Sequence, residues 1–422
     1  MRIDKIRADI FSSKTPAAII IGLESMQGLQ SARILNSHNI PVMAIAKDAG
    51  HSNCKSRSVE RLYIWNGADE GLIALLEKIG SQFETRPVLF PCEDHSVLLI
   101  SRNREKLDRI FRYSLPAPEV VELLMDKVTF YAYAKENGYP IPATYFLKNI
   151  MEAEEVGHEL NFPCIMKPAS RTPEWEKQTT LKAFKVFNRD EYLHTYKTYH
   201  QWTDVFVVQE FIAGDDKNLY SCNCYFDENS QPLASFIARK LRQWPPRTGQ
   251  SCLGEEVRED TVLNESLRLF RALKFQGLGY VEMKKDSRNG KYYFVEPNIG
   301  RPTGRSAIAE AGGVELLYTM YCHCTGKPLP QERRQKYTGV KWIHLRRDLL
   351  SAYFYWKEGE LGFKEWWKSL QGKKAYAVFS WKDPLPFLWD IFRFIRLGIS
   401  SNERRKRDHR LPVAENLVEE KT

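Results

Sequence analysis

The first apolar run of the chain, "PAAIIIG" from Pro16 to Gly22, has no polar alternation, the pattern of a strand buried on both faces. Gln27–His38 follows with apolar residues at helical spacing, and "IPVMAIA" returns to an unbroken apolar run. "PVLFPCEDHSVLLISRN" repeats the unit: a strand at Val88–Phe90, an acidic loop, then a helix. A small α/β domain over residues 1–117 is predicted. Next, "LPAPEVVELLMDKVTFYAYAKENGYPIPAT" predicts one or two helices closed by Asn137-Gly138, with Pro140 and Pro142 stiffening the exit. The period then shortens towards two. "FPCIMKP", "VFVVQEFIAGDDKNLYSCNCYF" and "LASFIARKLRQW" read as strands separated by turns, "ESLRLFRALKFQG" as a helix, and "GYVEMKKDSRNGKYYFVEPN" as a hairpin. This middle region is expected to be α+β and mostly antiparallel, divided as 118–206 and 207–330. The segment 331–422 changes character, being rich in aromatic residues and arginine.

The 422 residues allow one to three domains, and 43% hydrophobic with 27% charged residues is the balance of an ordinary globular protein. A net charge of +9 suits an anionic ligand, whether nucleotide, nucleic acid or anionic lipid. No RNA- or DNA-binding motif accompanies it, so no nucleic-acid partner is expected. The eight cysteines include no Cys-x-x-Cys, and buried thiols in a reducing compartment are the expectation. "SCNCY" and "YCHCT", the latter with His323, leave a metal site as the competing reading. The charged start, "MRIDKIRADIFSSKTP", lacks the apolar core of a secretory signal, and no window of about 20 apolar residues predicts a transmembrane helix. A cytoplasmic protein is expected. The turn Gly22-x5-Gly28 lacks the third glycine and the acidic partner of a dinucleotide fingerprint, which disfavours a nicotinamide cofactor.

The hairpin carries the chemistry. Alternation puts Tyr280, Glu282 and Lys284 on one face of its first strand, and Phe294, Glu296 and Asn298 on one face of its second. Should the two faces coincide, Glu282 and Glu296 become neighbours, and like charges directly opposite destabilise a sheet. A divalent cation removes that cost, and two carboxylates with an amide oxygen are hard ligands of the kind Mg2+ takes. The competing reading is a solvated face compensated by Lys284 and Lys285. Lys167 ends an apolar strand and Lys127 opens a helix, both suited to an anion. Lys240 and Arg242 share a face behind Phe236 and Ala238, so an apolar strand face turns cationic there.

Taken in order, Asp126-Lys127, "GYPIPAT", "FPCIMKP", "VVQEFIAGDD", "GYVEMKKD" and "FVEPN" resemble the ATP-grasp superfamily over residues 126–328. "SVERLYIW" and "LFPCEDHSVLLISRNREKL" resemble its preceding domain, and "DPLPF" resembles a segment of the carboxylate–amine ligase-like branch. The resemblance implies a Rossmann-like pre-ATP-grasp domain, an ATP-grasp fold and a helical C-terminal extension. It implies that Lys127 and Lys167 hold the phosphates of ATP, and that Gln209, Glu210, Phe211 and Ile212 form the adenine hinge, Glu210 and Ile212 through backbone groups. Asp216, or Asp215 beside it, would take the ribose hydroxyls. Glu282, Glu296 and Asn298 would carry Mg2+, with Mn2+ as a substitute. Lys240, Arg242, Arg301 and Arg305 would stabilise the transferring phosphoryl group or a substrate carboxylate.

The reaction implied is a two-step ligation of a small-molecule carboxylate to a small-molecule amine through an acyl phosphate. A different ATP-grasp substrate class, or a nucleotide-binding scaffold without turnover, are the alternatives. Related enzymes often read Glu-x-Asn-x-Arg, whereas Gly300 stands at the arginine position here and Arg301 lies one residue on. The segment Trp244–Gly254 reads as a lid. Phe387–Ile399 with "ERRKRDHR" behind it predicts an interfacial helix in peripheral membrane contact, against a competing reading in which the aromatics pack on the body. Related proteins are commonly dimers, so a homodimer is expected.

Overall fold

A computed structural model describes residues 10–405 apart from 171, 180, 182, 248 and 305, and their side chains except at 173, 176 and 397–405. The N-terminal unit comprises β1 (Ala18–Ile21), α1 (Met26–Ser37), β2 (Val42–Ala46), β3 (Arg61–Ile64), α2 (Asp69–Gly80), β4 (Val88–Pro91), α3 (Asp94–Arg102) and the short α4 (Arg104–Leu107). Its strands are parallel in the order β3-β2-β1-β4. The unbroken apolar runs of β1, β2 and β4 are fully buried, as two covered faces require. Strand order reverses beside β1, so the loops after β1 and β4 part and leave a crevice at their C-terminal ends.

α5 (Pro118–Met125) and α6 (Lys127–Glu136) are separated only by Asp126, whose carboxylate caps α6 by accepting from the Thr129 N–H at 2.9 Å. A small antiparallel sheet follows, with β5 (Thr144–Leu147), α7 (Ile150–Glu159), β6 (Cys164–Pro168), α8 (Pro173–Gln178), β7 (Phe184–Val186), α9 (Arg189–Tyr199) and β8 (Phe206–Glu210). Its order is β5-β8-β6-β7, and α7 and α9 cover one face through Ala153, Tyr192 and Tyr196. β8 belongs to this sheet, so the small sheet runs across the division expected at 206/207.

The large sheet is built from β9 (Leu219–Phe226), β10 (Pro232–Trp244), β11 (Gln250–Glu256), β12 (Gly277–Lys285) and β13 (Tyr292–Ile299), with α10 (Asp260–Ala272) against one face. The lid expected at Trp244–Gly254 is β11 from Gln250 onward, and Ser251–Gly254 are buried between β10 and a later strand. α11 (Ser306–Ala311) and α12 (Leu316–Thr325) wedge between this sheet and the N-terminal unit: Leu317 and Tyr321 share a core with Phe90 on one side and Tyr225 and Phe236 on the other. The C-terminal extension is helical, with α13 (Leu345–Lys357), α14 (Phe363–Ser369) and α15 (Leu385–Arg405), but it also supplies β14 (Lys341–Ile343) and β15 (Lys374–Tyr376) to the large sheet beside β11. The full order is β13-β12-β9-β10-β11-β14-β15. The Cys-x-Cys pairs are spent on packing: Cys222 and Cys224 lie in the core on β9, and His323 hydrogen-bonds the Tyr225 hydroxyl at 2.7 Å.

Glu310 on α11 has its Oε1 shut off from solvent with no hydrogen-bond partner among the described residues. Burial first, and then Glu315, push its carboxyl from 4.5 up to about 8. A carboxyl raised on folding is favourable below pH 4.5, and that contribution is lost as the pH climbs to about 8. Glu310→Gln is expected to flatten this decline, gaining about 1–3 kcal/mol at pH 8 relative to pH 4.5, as read by urea titration at the two pH values.

Candidate active site between the small and large sheets

Glu282 on β12 and Glu296 on β13 stand directly opposite each other, so their side chains share one face of the hairpin. Strict alternation would have put Phe294 on that face too. A bulge at Val295 corrects this: Phe294 faces Met283 in the core, while Glu296 meets Glu282. β13 is an edge strand, which tolerates Pro297 between the two candidate ligands. Lys240 Nζ lies 3.3 Å from Glu282 Oε2, reaching over β9 at the small Ser221. One lysine balances one carboxylate; Glu296 remains exposed beside the pair.

Asn298 is fixed by Arg301, whose Nη2 donates to its Oδ1. The Asn298 Nδ2 is buried and has no partner among the described residues, so an anionic oxygen arriving here would satisfy it. Arg301 is buried, forks onto Asp94 at the start of α3 and reaches the Tyr280 hydroxyl at 3.4 Å. Burial lowers the affinity of its guanidinium for a proton, but Tyr280 and Asp94 outweigh that and hold it above its ordinary range. The displaced arginine has a steric cause. Gly300 has φ +69°, and a Cβ there would meet Leu115 Cδ2 and Val97 Cγ1 at 2.6 Å. No arginine fits that position, and Arg301 is the next residue along.

Across the cleft, Lys167 Nζ sits 3.3 Å from the Tyr131 hydroxyl, which donates to the Val295 carbonyl, and Lys127 Nζ donates to the Ala169 carbonyl at 3.2 Å. Two more lysines were not singled out as site residues in the sequence. Lys185 on β7 and Lys284 on β12 flank the Phe211 ring at 4.2 and 5.0 Å. Burial first depresses the Lys284 ammonium, Lys185 adds to it, and Asp216, Asp286 and Asp215 oppose it. Three lysines from the two sheets and one from α6, Lys284 among them desolvated, give this cleft the charge to suit a polyanion.

No protein-family model matches the chain. It is 27% identical over 253 residues to the D-aspartate ligase of Enterococcus faecium, a match covering 57% of this chain and 58% of that protein, so the chain spans under two thirds of this curated relative's length. Its coordinates superpose on N5-carboxyaminoimidazole synthetase from Staphylococcus aureus, solved with ADP, at a TM-score of 0.59 and 17% identity over 76% of this chain and 80% of that one. Biotin carboxylase from Campylobacter jejuni gives 0.59 at 15% identity, over 76% and 74%. The chain has an ATP-grasp fold. Lys185 of the small sheet and Lys284 of the large sheet meet at Phe211.

The remaining expected residues have separate settings in this ATP-grasp fold. The hinge is bolted shut on one side: Arg288 donates to Glu210 at 3.1 Å and to the Phe211 carbonyl at 3.0 Å, and Gln209 is buried, donating to Thr144 Oγ1 at 2.9 Å. Ile212 keeps its backbone N–H without an intramolecular partner among the described residues. Asp216 is enclosed, accepting from the Gln243 N–H and side chain and from the Tyr355 hydroxyl at 2.7 Å, whereas Asp215 is exposed. Arg242 does not join Lys240. The extra residue at Leu241 interrupts the alternation on which a shared face depended, and Arg242 forks onto Asp348 of α13 at 2.8 and 3.1 Å. Arg305 lies outside the described residues.

These placements separate structure from binding. Arg242→Ala is expected to cost about 3–5 kcal/mol in denaturant unfolding, because Asp348 is left buried and unpaired. Lys185→Ala should leave stability within about 0.5 kcal/mol yet weaken a non-hydrolysable ATP analogue about ten-fold by calorimetry.

Proposed function

We propose that this chain is an ATP- and Mg2+-dependent ligase that joins a carboxylate to an amine. The observation that carries this reading is the direct register of Glu282 on Glu296 at the edge of a lysine-lined cleft. Lys127, Lys167, Lys185 and Lys284 hold the phosphates, and the open Ile212 backbone receives the adenine edge. Asp215, being exposed, suits the ribose hydroxyls better than the enclosed Asp216. Glu282, Glu296 and Asn298 hold Mg2+, which neutralises charge on the phosphates when bound. Lys240 beside Glu282 and Arg301 beside Asn298 hold the γ-phosphoryl group or the substrate carboxylate, a task in which Arg242 has no part and Arg305 keeps its expected share.

A carboxylate oxygen attacks the γ-phosphorus and ADP leaves; the amine nitrogen then attacks the acyl carbon, loses a proton and expels phosphate. This route solves the poor reactivity of a free carboxylate. The Enterococcus faecium relative is a D-aspartate ligase, so amino acids are the first amines and acids to test. All eight cysteines are free thiols, which suits a reducing compartment such as the cytoplasm. The biotin carboxylase domain of Hydrogenobacter thermophilus was solved as a dimer with MgADP, with a TM-score of 0.58 and 15% identity, and a homodimer is proposed by analogy.

An ADP-release screen over pools of amino acids and small acids tests the reading. Mg2+-dependent release with one acid–amine pair is expected, and Glu296→Gln should lower it at least about a hundred-fold. Undiminished turnover in that variant would remove the metal assignment.

A further inference from the structure

α13 presents two unlike faces. Inward, Asp348 takes Arg242, Ser351 donates to the Gln243 carbonyl at 2.9 Å, and Tyr355 donates to Asp216. Outward, Leu349, Tyr353 and Trp356 form an exposed stripe at helical spacing. With Phe363 and Trp366 of α14 they line an open apolar hollow of about 220 Å³. α15 carries a second exposed stripe, Leu388, Phe392 and Ile395. α15 is tied to α13 on its other side, where Arg346 pairs with Asp390 at 3.0 Å and lies over the Phe394 ring. Trp381, 88% exposed, stands in the approach to α15. Soluble monomers rarely show so many large apolar side chains together.

Charge selects the occupant. Residues 341–396 carry eleven Lys and Arg against six Asp and Glu, and the basic run Arg404–Arg410 continues the chain beyond the described side chains. A second copy meeting this face through two-fold symmetry would bring like charge against like charge. Tryptophan and tyrosine flanked by lysine and arginine match the headgroup boundary of an anionic bilayer. Among the described residues no helix is long and apolar enough to cross a membrane, so contact would lie in the plane of the surface. We infer that the outer face of α13, α14 and α15 docks peripherally on an anionic lipid surface.

Co-sedimentation of the full chain with phosphatidylcholine vesicles containing phosphatidylserine, against phosphatidylcholine alone, tests this. The expected result is partitioning onto the phosphatidylserine-containing vesicles, weakened about five-fold by each of Lys364→Ala and Arg396→Ala. The pair Trp356→Ser and Phe392→Ser should weaken it about ten-fold or more, with the melting temperature and nucleotide binding unchanged because both side chains are exposed. Failure to partition, partitioning that ignores these substitutions, or a dimer in sedimentation velocity that the Trp356→Ser, Phe392→Ser variant dissociates, overturns the inference.

Discussion

Two carboxylates held face to face on neighbouring strands set the terms for everything around them. A sheet does not place Glu282 opposite Glu296 without compensation, and Lys240 is one cation that the fold brings to it. That requirement explains the surroundings: a bulge to aim Glu296, an arginine to hold Asn298, and a cationic jaw across the cleft.

The site is also an assembly of distant parts. Arg301 belongs to the loop after β13, but its guanidinium is held by Asp94 from the N-terminal unit. Asp94 opens the helix after β4, where strand order reverses. The first domain therefore braces the chemistry as well as flanking it, and the tight packing of Gly300 on Val97 and Leu115 fixes where that brace must meet the hairpin.

Much of this was legible in the sequence because it depends on local periodicity. The buried strands of the N-terminal unit are uninterrupted apolar runs, and the hairpin is marked by alternation around a polar turn. Failures came where one residue breaks the period. The bulge at Val295 sent Phe294 to the other face, and the one at Leu241 separated Arg242 from Lys240. Pro297 near the first is a mark consistent with an edge or a bulge, whereas no glycine or proline stands beside the second. Lys185 and Lys284 were missed as a pair for a different reason: they meet only over Phe211, and nothing in a linear pattern records a meeting between two sheets. Asp348, which claims Arg242, lies over a hundred positions downstream of it.

The pairing of β14 with β11 gives the C-terminal segment an architectural role that its helical appearance hides. Stripped of that strand, β11 would become an open ladder of amide and carbonyl groups, ready to zip onto any neighbouring chain. Here the blunting strand and Tyr355, which grips Asp216 in the loop before β9, arrive in one stretch of polypeptide, so edge protection and the geometry of that loop are inherited, or lost, together.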